Sequence, residues 1–345
     1  MSSMNNPHLS IVVTSRNDNH GGDMAKRMKY FLQTLYALAP RQQMGLEVVF
    51  VEWNPPPSRP LLKEALPLPP KNLDHFELRY VVVPSSLHGR LDNSDKLSMF
   101  QMIAKNVGVQ RAKGQFVLCT NVDVIFSEAL FDALFSGILQ KNRLYRANRV
   151  DVPKDIPGDL SHSELLAFCQ SNEIQRMGKN ALYPEISDTT PWYFSLPFLG
   201  WFLSLPKKCS RFLGRESLSS RYARMDTDAC GDFTLMHKDH WMSIRGYIEL
   251  EAYSIHIDSL LLYYALALEI EQYIFPSKAC IYHISHSSGW ELQDPKEKLF
   301  WDIRQPKLDW STADRFGRHI VEHQLQYVNN EDWGLADHDL EEYTY

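Results

Sequence analysis

The sequence predicts an α/β fold in which a mostly parallel sheet is flanked by helices. Short apolar runs rich in β-branched residues alternate with longer segments of helical periodicity. Several of these runs end abruptly in polar clusters, which is typical of buried parallel strands that open into loops. With 345 residues and 44% hydrophobic composition, the chain can bury a substantial core. We expect a single fused domain with an insertion and a C-terminal extension.

The first 140 residues alternate strongly between the two patterns. Strands are predicted over residues 9–14, 46–51, 78–83 and 115–120. Helices are predicted over residues 24–38, 96–112 and 128–140. Pro40 and Gly114 follow two of these helices as stop signals, and Ser127 precedes the third as an N-cap. This order favours helical crossovers between parallel strands.

The second half of the chain is less regular. A capping-box pattern at Ser161–Glu164 predicts the start of a helix. Residues 230–247 predict a strand and a short helix that Gly246 ends, residues 256–269 predict an apolar helix, and a last strand ends near His283. The charged and aromatic residues 291–345 form the C-terminal extension.

The segment Pro191–Arg215 is apolar at first and basic afterwards. Its apolar part is interrupted by Pro197 and is too short to cross a bilayer, which takes about 20 residues. Two interpretations stay open for it. It packs over the core as a lid, or it lies on a membrane surface with its basic residues against anionic lipid.

Composition excludes several classes of protein. A net charge of −6 with scattered Lys and Arg argues against a nucleic-acid partner. Five widely spaced cysteines without a CxxC pair indicate reduced thiols rather than disulfides or a zinc knuckle. The N-terminus lacks the pattern of a secretory signal. We therefore expect a cytoplasmic protein, with residues 191–215 as its only candidate contact with the inner face of the membrane.

Four polar clusters follow predicted strands directly. They occupy residues 14–18, 52–54, 121–123 and 283–286. In an open parallel sheet, ligands bind outside the carboxyl ends of the strands, so these clusters should meet around one site.

Three stretches carry a family resemblance, and they occur in a defined order. They are "LSIVVTSRN", then "AKNVGVQRAKGQFVLCTNVDVIFS", then "LMHKDHWMSIRGYIE" followed by "HIDSLLLYYA". Together they resemble nucleotide-sugar glycosyltransferases of the GT-A fold, particularly family-2-like enzymes, whose sheet is related to the Rossmann sheet. The resemblance covers roughly residues 9–53, 97–140 and 230–286.

The resemblance implies a division of labour along the chain. Residues 1–150 would bind the nucleotide-sugar, residues 151–225 would be an insertion, and residues 226–290 would bind the acceptor. The implied reaction moves a sugar from a nucleoside-diphosphate sugar, with UDP expected, to a hydroxyl of a glycan, a glycolipid or a small molecule. Inversion at the anomeric carbon is the implied outcome. The implied partners are this donor and a carbohydrate or lipid-linked acceptor.

The same resemblance assigns donor and metal residues. The residues assigned to the donor are Thr14, Ser15, Arg16, Glu52, Asn106 and Asn121. Asp123 takes the place of the family's second, metal-binding Asp, and His283 the place of a late third ligand. Mn²⁺ or Mg²⁺ would offset the charge that grows on the leaving diphosphate. Asn121 stands where the family has its first Asp.

Two acids are candidates for catalysis. An inverting transferase needs a base that takes the proton of the acceptor hydroxyl. The resemblance assigns this role to Asp258, although His256 replaces the acid that usually precedes it. Asp232, beside Gly231 and just before a predicted strand, is the rival candidate.

Two other functions stay open. A sugar nucleotidyltransferase shares the alternating strands and metal carboxylates, and would use a Gly-rich phosphate loop such as the one with Gly21, Gly22 and Lys26. A catalytically silent binding protein of the same fold would explain why Asn121 and His256 replace acids.

Overall fold

A computed structural model describes residues 6–158, 160–178, 222, 225–286 and 306–345 of the chain. The segment 191–215 lies outside the described residues, so its contact with a membrane or with the core stays a prediction. No helix in the described part of the chain combines the length and apolarity that crossing a bilayer requires.

The described strands form two sheets. Their bounds are β1 Leu9–Ser15, β2 Leu46–Trp53, β3 Phe76–Val83, β4 Phe116–Thr120, β5 Val124–Phe126, β6 Arg143–Arg146, β7 Asn148–Val152, β8 Gln175–Met177, β9 Phe233–His237, β10 Glu271–Ile274, β11 Cys280–Ile284 and β12 Glu341–Thr344. The larger sheet has the order β10-β6-β9-β4-β1-β2-β3-β12, and the smaller one the order β5-β11-β7-β8. Within the larger sheet only β9 and β12 run against the other strands, which confirms the predicted mostly parallel sheet.

Helices cover both faces of the larger sheet. Their bounds are α1 Met24–Leu38, α2 Leu62–Ala65, α3 Ser85–His88, α4 Gln101–Arg111, α5 Glu128–Phe135, α6 His162–Ser171, α7 Lys238–Ile244, α8 Ile257–Ala267 and α9 Trp310–Glu322. Side chains of α1 and α5 pack on one face of the sheet, and those of α4, α7 and α8 pack on the other. Both faces are therefore apolar, which explains why β1 and β2 are buried along their whole length.

Helix ends follow the local signals, with two differences in length. Ser127 accepts a hydrogen bond from the Leu130 N–H at the start of α5, and Ser161 with Glu164 forms the predicted capping box. The helix after Ser127 ends at Phe135 rather than at residue 140, because Gly137, two residues beyond Phe135, has a left-handed φ of 81°. The helix predicted from residue 96 begins only at Gln101, because hydrogen-bonded turns occupy the residues before it.

The order β3-β2-β1-β4 places a topological switch point between β1 and β4. The chain moves outward from β1 to β2 and β3, and then returns to the other side of β1 with β4. In doubly wound sheets the loops that follow two such strands separate and leave a crevice for a ligand. Here those loops begin at Arg16 and at Asn121, two positions that the sequence marks as polar clusters.

The stretch Leu118–Ser127 does not form one strand. β4 ends at Thr120 in the larger sheet, residues 121–123 turn, and β5 begins at Val124 in the smaller sheet. The polar centre of this apolar stretch is therefore a crossing between sheets, where the backbone leaves the ladder.

The C-terminal extension completes the edge of the larger sheet. β12 pairs antiparallel with β3, and the Arg79 guanidinium on β3 donates to Glu342 on β12 at 2.5 Å. α9, also from the extension, packs against α8. Residues 306–345 are thus part of the main fold.

Candidate functional site

Strand register brings Asp123, His283 and Asp151 together. β11 pairs antiparallel with β5 and parallel with β7, so His283 lies opposite Val124 on one side and Asp151 on the other. The Ile284 N–H donates to the carbonyl of Asp123 at 2.9 Å, which fixes the turn before β5 against the end of β11. Residues far apart in sequence therefore meet where the smaller sheet adjoins the switch point.

Asp123, His283 and His286 form a compact cluster of metal-binding type. One ligand atom from each of the three side chains lies within 4.8 Å of the others. The Nε2 atoms of His286 and His283 lie 3.1 Å and 3.9 Å from Asp123 Oδ2. Asp123 and His283 are each 6% exposed, so the cluster is largely shielded from solvent.

The surroundings of Asp123 favour its charged form. Burial alone would raise its pKa, but the imidazoles of His283 and His286 and the Arg27 guanidinium hold the pKa of Asp123 well below its ordinary value. Arg27 Nη1 donates to Asp123 Oδ2 at 2.9 Å, and Arg27 itself is only 3% exposed. Asp123 is therefore an anion held among cationic or protonatable groups.

The donor set fits a divalent cation. Asp123 Oδ1 is buried and has no hydrogen-bond partner among the described residues, which is costly for a carboxylate oxygen unless a ligand completes it. A carboxylate with two imidazoles provides one oxygen and two nitrogen ligands, a set that first-row transition metals accept. Asp123, His283 and His286 are thus the described residues able to hold such a cation.

A second layer orients this cluster. His283 Nδ1 lies 3.0 Å from Asp151 Oδ1, which leaves Nε2 on the side of Asp123. Although burial lowers the pKa of His283, Asp123 and the hydrogen bond to Asp151 raise it to a net value above the ordinary one. Asp151 also accepts from Arg149 Nε and from Gln175, so its carboxylate is fixed in place.

Asp232 belongs to the same network. Arg149 Nη1 donates to one of its oxygens at 2.7 Å, and the Asn121 amide donates to the other at 2.5 Å. Both carboxylate oxygens are therefore engaged, and the residue is 6% exposed. The structure brings this predicted residue to the site, with its oxygens occupied by Arg149 and Asn121.

Lys105 is a fully buried cation next to Asn121. Its Nζ donates to Asn121 Oδ1 at 2.9 Å and to the carbonyl of Gly231 at 2.7 Å. Burial lowers the pKa of Lys105, and the nearby Asp232, Asp258 and Asp123 act in the opposite direction. Asn121, which replaces an acid of the family motif, is thus paired with a lysine.

Asp258 lies in the first turn of α8, close to Gly231. A Cβ atom on Gly231 would come within 2.8 Å of Asp258 Oδ2, so only glycine allows this approach. Asp258 Oδ1 accepts from the backbone N–H of Ser259 at 2.9 Å, and the residue is half-buried. Of the two predicted catalytic acids, Asp258 is the more exposed.

The predicted donor residues at the end of β1 lie at the switch point. Thr14 is buried and contacts the sulfur of Met99, and Ser15 is buried with its hydroxyl unpaired among the described residues. Arg16 donates from Nε to the carbonyl of Asn54 at 2.7 Å and forms an ion pair with Asp18 at 3.0 Å.

Glu52 lies beside Ser15 on the neighbouring strand and is fully buried. Its Oε2 accepts from the Leu62 N–H at 2.8 Å, while its Oε1 has no partner within the described ranges. Burial raises the pKa of Glu52 to about 7. Glu52 therefore fastens the loop between β2 and α2.

Asn106 lies apart from the cluster. Its amide donates to the carbonyl of Tyr247 and to Glu249, and its Oδ1 accepts from the Tyr247 N–H at 2.8 Å. Gly246, at a φ of 69°, leaves the space that Asn106 fills. The structure thus places Asn106 in the anchoring of the turn after α7.

The structure adds residues to which the sequence pattern assigned no role. They are Arg27, Lys105 and Asp151, while His286 was predicted only as a member of the polar cluster 283–286. His286 stands three residues after His283, a spacing that can place two imidazoles near one another past a strand end. Arg27 and Asp151 reach the cluster only through the packing of α1 and the register of β7, for which the sequence carries no local signal.

Comparisons with known proteins find similarity among solved structures. No family model and no curated protein matches the chain. Among solved structures, a crystal structure of S. aureus TarS 1–349 in complex with UDP-GlcNAc is 11% identical, covers 92% of this chain and 72% of that chain, and has a TM-score of 0.42. A structure of TarS 1–349 alone is 13% identical, covers 90% and 71%, and has a TM-score of 0.39.

Proposed function

We propose that the chain is a metal-dependent glycosyltransferase that uses a nucleoside-diphosphate sugar as its donor. The observation that supports this most is the cluster of Asp123, His283 and His286 beside the switch point between β1 and β4. Nucleotides bind at this position in doubly wound sheets, and a carboxylate with two imidazoles there could hold the cation that accompanies a diphosphate. The ordered motifs that resemble the GT-A enzymes support the same function.

The donor would lie across the carboxyl ends of β1, β2 and β4. Thr14, Ser15 and Arg16 would face the ribose and base, since they lie at the carboxyl end of β1. The buried hydroxyl of Ser15 and the free oxygen of Glu52 lie on neighbouring strands and give this edge unused hydrogen-bonding capacity. A cation held by Asp123, His283 and His286 would supply charge neutralisation for the leaving diphosphate.

Two imidazoles in the ligand set favour Mn²⁺ over Mg²⁺. Mg²⁺ prefers oxygen ligands and gives up its waters reluctantly, whereas Mn²⁺ and the later first-row metals accept nitrogen more readily. His286 would add the second nitrogen ligand to the predicted pair of Asp123 and His283. We therefore expect manganese to bind more tightly than magnesium at this site.

Asp258 is the better candidate for the catalytic base. It is more exposed than Asp232, whose oxygens are both engaged by Arg149 and Asn121. A base must reach the acceptor hydroxyl, take its proton and leave the oxygen free to attack the anomeric carbon. Attack from the side opposite the leaving diphosphate would invert that carbon.

Lys105 would act as a fixed cation of the site. It is fully buried between Asn121 and Gly231, and the charges of Asp232 and Asp258 act on it. It positions Asn121 near the place where the diphosphate would gain charge. Asn121 would therefore hold Lys105 at the site with a neutral amide, in the place where the family has an acid.

A sugar nucleotidyltransferase is the second candidate. The observation that favours it is the loop of Gly21 and Gly22, both at positive φ, which leads into α1 with Lys26 and Arg27 in its first turn. A glycine loop before a helix is a common phosphate site. Such an enzyme would form a nucleotide-sugar from a nucleoside triphosphate and a sugar phosphate.

Turnover of a labelled panel of nucleotide-sugars, with and without Mn²⁺, tests the proposal. We expect hydrolysis or transfer that Mn²⁺ stimulates, and loss of both Mn²⁺ binding and stimulation in Asp123→Ala and His286→Ala. His323→Ala, an exposed histidine beyond α9, serves as the matched control. Turnover of nucleoside triphosphates with sugar phosphates, and not of nucleotide-sugars, would instead identify a nucleotidyltransferase.

A second variant separates donor binding from catalysis. Asp258→Asn should bind UDP and Mn²⁺ as the unsubstituted protein does, yet lose transfer by roughly 10²- to 10⁴-fold, which is the usual contribution of a general base. Unchanged transfer in Asp258→Asn would remove this residue from the proposed mechanism.

A further inference from the structure

The start of α1 is electrostatically unfavourable as it stands. Its first turn contains Lys26 and Arg27 but no acidic residue. Asp23, at the N-cap, has left-handed backbone geometry and makes no side-chain capping hydrogen bond. The N-terminal end of a helix carries partial positive charge, so Lys26 and Arg27 oppose the helix dipole, and no side-chain cap satisfies the first N–H groups. This end of α1 therefore favours an anion.

A cavity of about 140 Å³ lies at this end of the helix. Its lining includes Gly22, Lys26 and Arg27 from the α1 side, Lys154 from the loop after β7, and Ser285 from the segment after β11. Cavities of about 150 Å³ hold a molecule the size of benzene. This one can therefore accept a phosphate group but not a nucleotide.

Arg27 connects this cavity to the metal-type cluster. Its Nη1 donates to Asp123, and its Nη2 donates to the carbonyl of Gly22 at 3.0 Å. Its Nε–H is buried and has no hydrogen-bond partner among the residues that the structure describes. Arg27 lines the cavity, and a guanidinium with an unused donor is the kind of group that an anionic ligand completes.

Two lysine side chains contribute positive charge to the same cavity. Lys26 Nζ donates to the carbonyl of Ile156 at 2.7 Å, which uses one of its three protons. Lys154 is exposed at the rim, as are the two acids of the lining, Asp23 and Asp155. The lining therefore holds three cationic and two acidic side chains, and its buried cation, Arg27, is also paired with Asp123.

We propose that this cavity binds a phosphate group of the acceptor substrate. The inference rests on the proposed transferase function, in which the donor diphosphate belongs to the cluster of Asp123, His283 and His286. The cavity would then be a second anion site that serves the other substrate. The Arg27 guanidinium lies between it and Asp123, and Ser285, which precedes His286, borders it. The acceptor would be a phosphorylated sugar, a phosphodiester-linked glycan or a lipid phosphate, all of which present the same group.

Calorimetric titration without metal tests the cavity with three probes: inorganic phosphate, glycerol 1-phosphate and glycerol. We expect both phosphates to bind and glycerol not to bind. Lys26→Met and Lys154→Met should each raise the dissociation constants of the phosphates about tenfold or more. Lys154→Met keeps the test valid if Lys26→Met does not fold, because Lys154 is exposed. Lys29→Met, on the same helix but outside the cavity lining, should bind the phosphates normally.

Two further measurements separate the acceptor site from the donor site. With UDP and Mn²⁺ at saturation, glycerol 1-phosphate should still bind, and competition between them would overturn the acceptor assignment. Donor hydrolysis by the unsubstituted protein tests the function on which the inference rests. Hydrolysis without phosphate binding overturns the subsite alone, whereas phosphate binding without turnover of any nucleotide-sugar overturns the acceptor assignment together with the transferase.

Discussion

The Nδ1 atom of His283 lies 3.0 Å from Oδ1 of Asp151, and the two residues are register partners on neighbouring parallel strands. This hydrogen bond directs the other ring nitrogen of His283 to the side of Asp123. Metal-binding histidines usually donate their other ring N–H to a carboxylate, a backbone carbonyl or water, which fixes the ring and raises its basicity. The pairing thus extends the cluster from three residues to four.

Asp151→Asn should weaken Mn²⁺ binding while leaving all three ligands in place. Loss of an outer-shell carboxylate usually costs 10- to 100-fold in metal affinity, and we expect an effect in that range. Electron paramagnetic resonance of free Mn²⁺ during titration measures it directly. Asp337→Asn, an exposed acid near the C-terminus, is the control. Equal affinity in the Asp151 and Asp337 variants would mean that the Asp151 carboxylate does not support metal binding through His283.

Gly231→Ala should disturb Asp258 while keeping the backbone carbonyl that accepts from Lys105. A methyl group at this position would lie 2.8 Å from Asp258 Oδ2, so the carboxylate must move. We expect kcat for transfer to fall at least tenfold, with the KM for the donor little changed. Gly158→Ala is the matched control, because an added Cβ meets no atom within 4 Å there. If both alanine variants transfer at the same rate, Asp258 is not the base.

Glu52 should make stability depend on pH in an unusual direction. Its pKa rises from 4.5 to about 7 on folding, so between these values the folded protein binds a proton that the unfolded chain has lost. Stability then falls as the pH increases from 4.5 to 7 and is constant above that range. From pH 5 to pH 8 the loss attributable to Glu52 is about 2 to 3 kcal/mol.

Urea unfolding at pH 5 and pH 8, with Glu52→Gln as the comparison, measures this contribution. The variant keeps a side chain of similar shape but cannot titrate, so its stability should fall less between the two pH values. The other titrating groups contribute equally to both proteins. The same pH dependence in both would show that Glu52 is ionised in the folded state at pH 5.

The C-terminal strand should contribute to global stability through Glu342. This residue forms ion pairs with Arg79 at 2.5 Å and with Arg111 at 3.3 Å, and the Arg79 side chain is only 6% exposed. Glu342→Gln should lower the free energy of unfolding by about 1 to 2 kcal/mol, as expected for hydrogen bonds to charged groups. Glu341→Gln, on the exposed side of the same strand, should change it much less. Equal stability of the two variants would show that the strand edge is held by backbone pairing alone.

The helices and strands that follow simple periodicity were predictable from the sequence. The apolar face of α1, for example, recurs every three or four residues, and β1 and β2 are continuous apolar runs. The strand β12 was not predictable, because residues Glu341 to Thr344 are mostly polar and the strand pairs only at the edge of the sheet. Local pattern predicts an element when that element buries its own apolar face, and β12 buries little.

The residues of the site also divide into those that a local sequence pattern predicts and those that it does not. Asp123 could be found because an acid stands inside an apolar stretch, and His283 because it follows a strand. Arg27 and Asp151 could not, since each reaches the cluster through tertiary packing or strand register. Asn106 illustrates the opposite case: it lies in a motif assigned to the donor, yet its amide holds Tyr247 and Glu249.

A crystal structure with UDP and Mn²⁺ tests the central claim most directly. Anomalous scattering should place one manganese ion in contact with Asp123, His283, His286 and the diphosphate, with the uridine against the ends of β1 and β2. UDP bound at this edge without manganese, or manganese bound away from the three side chains, would contradict the proposed site.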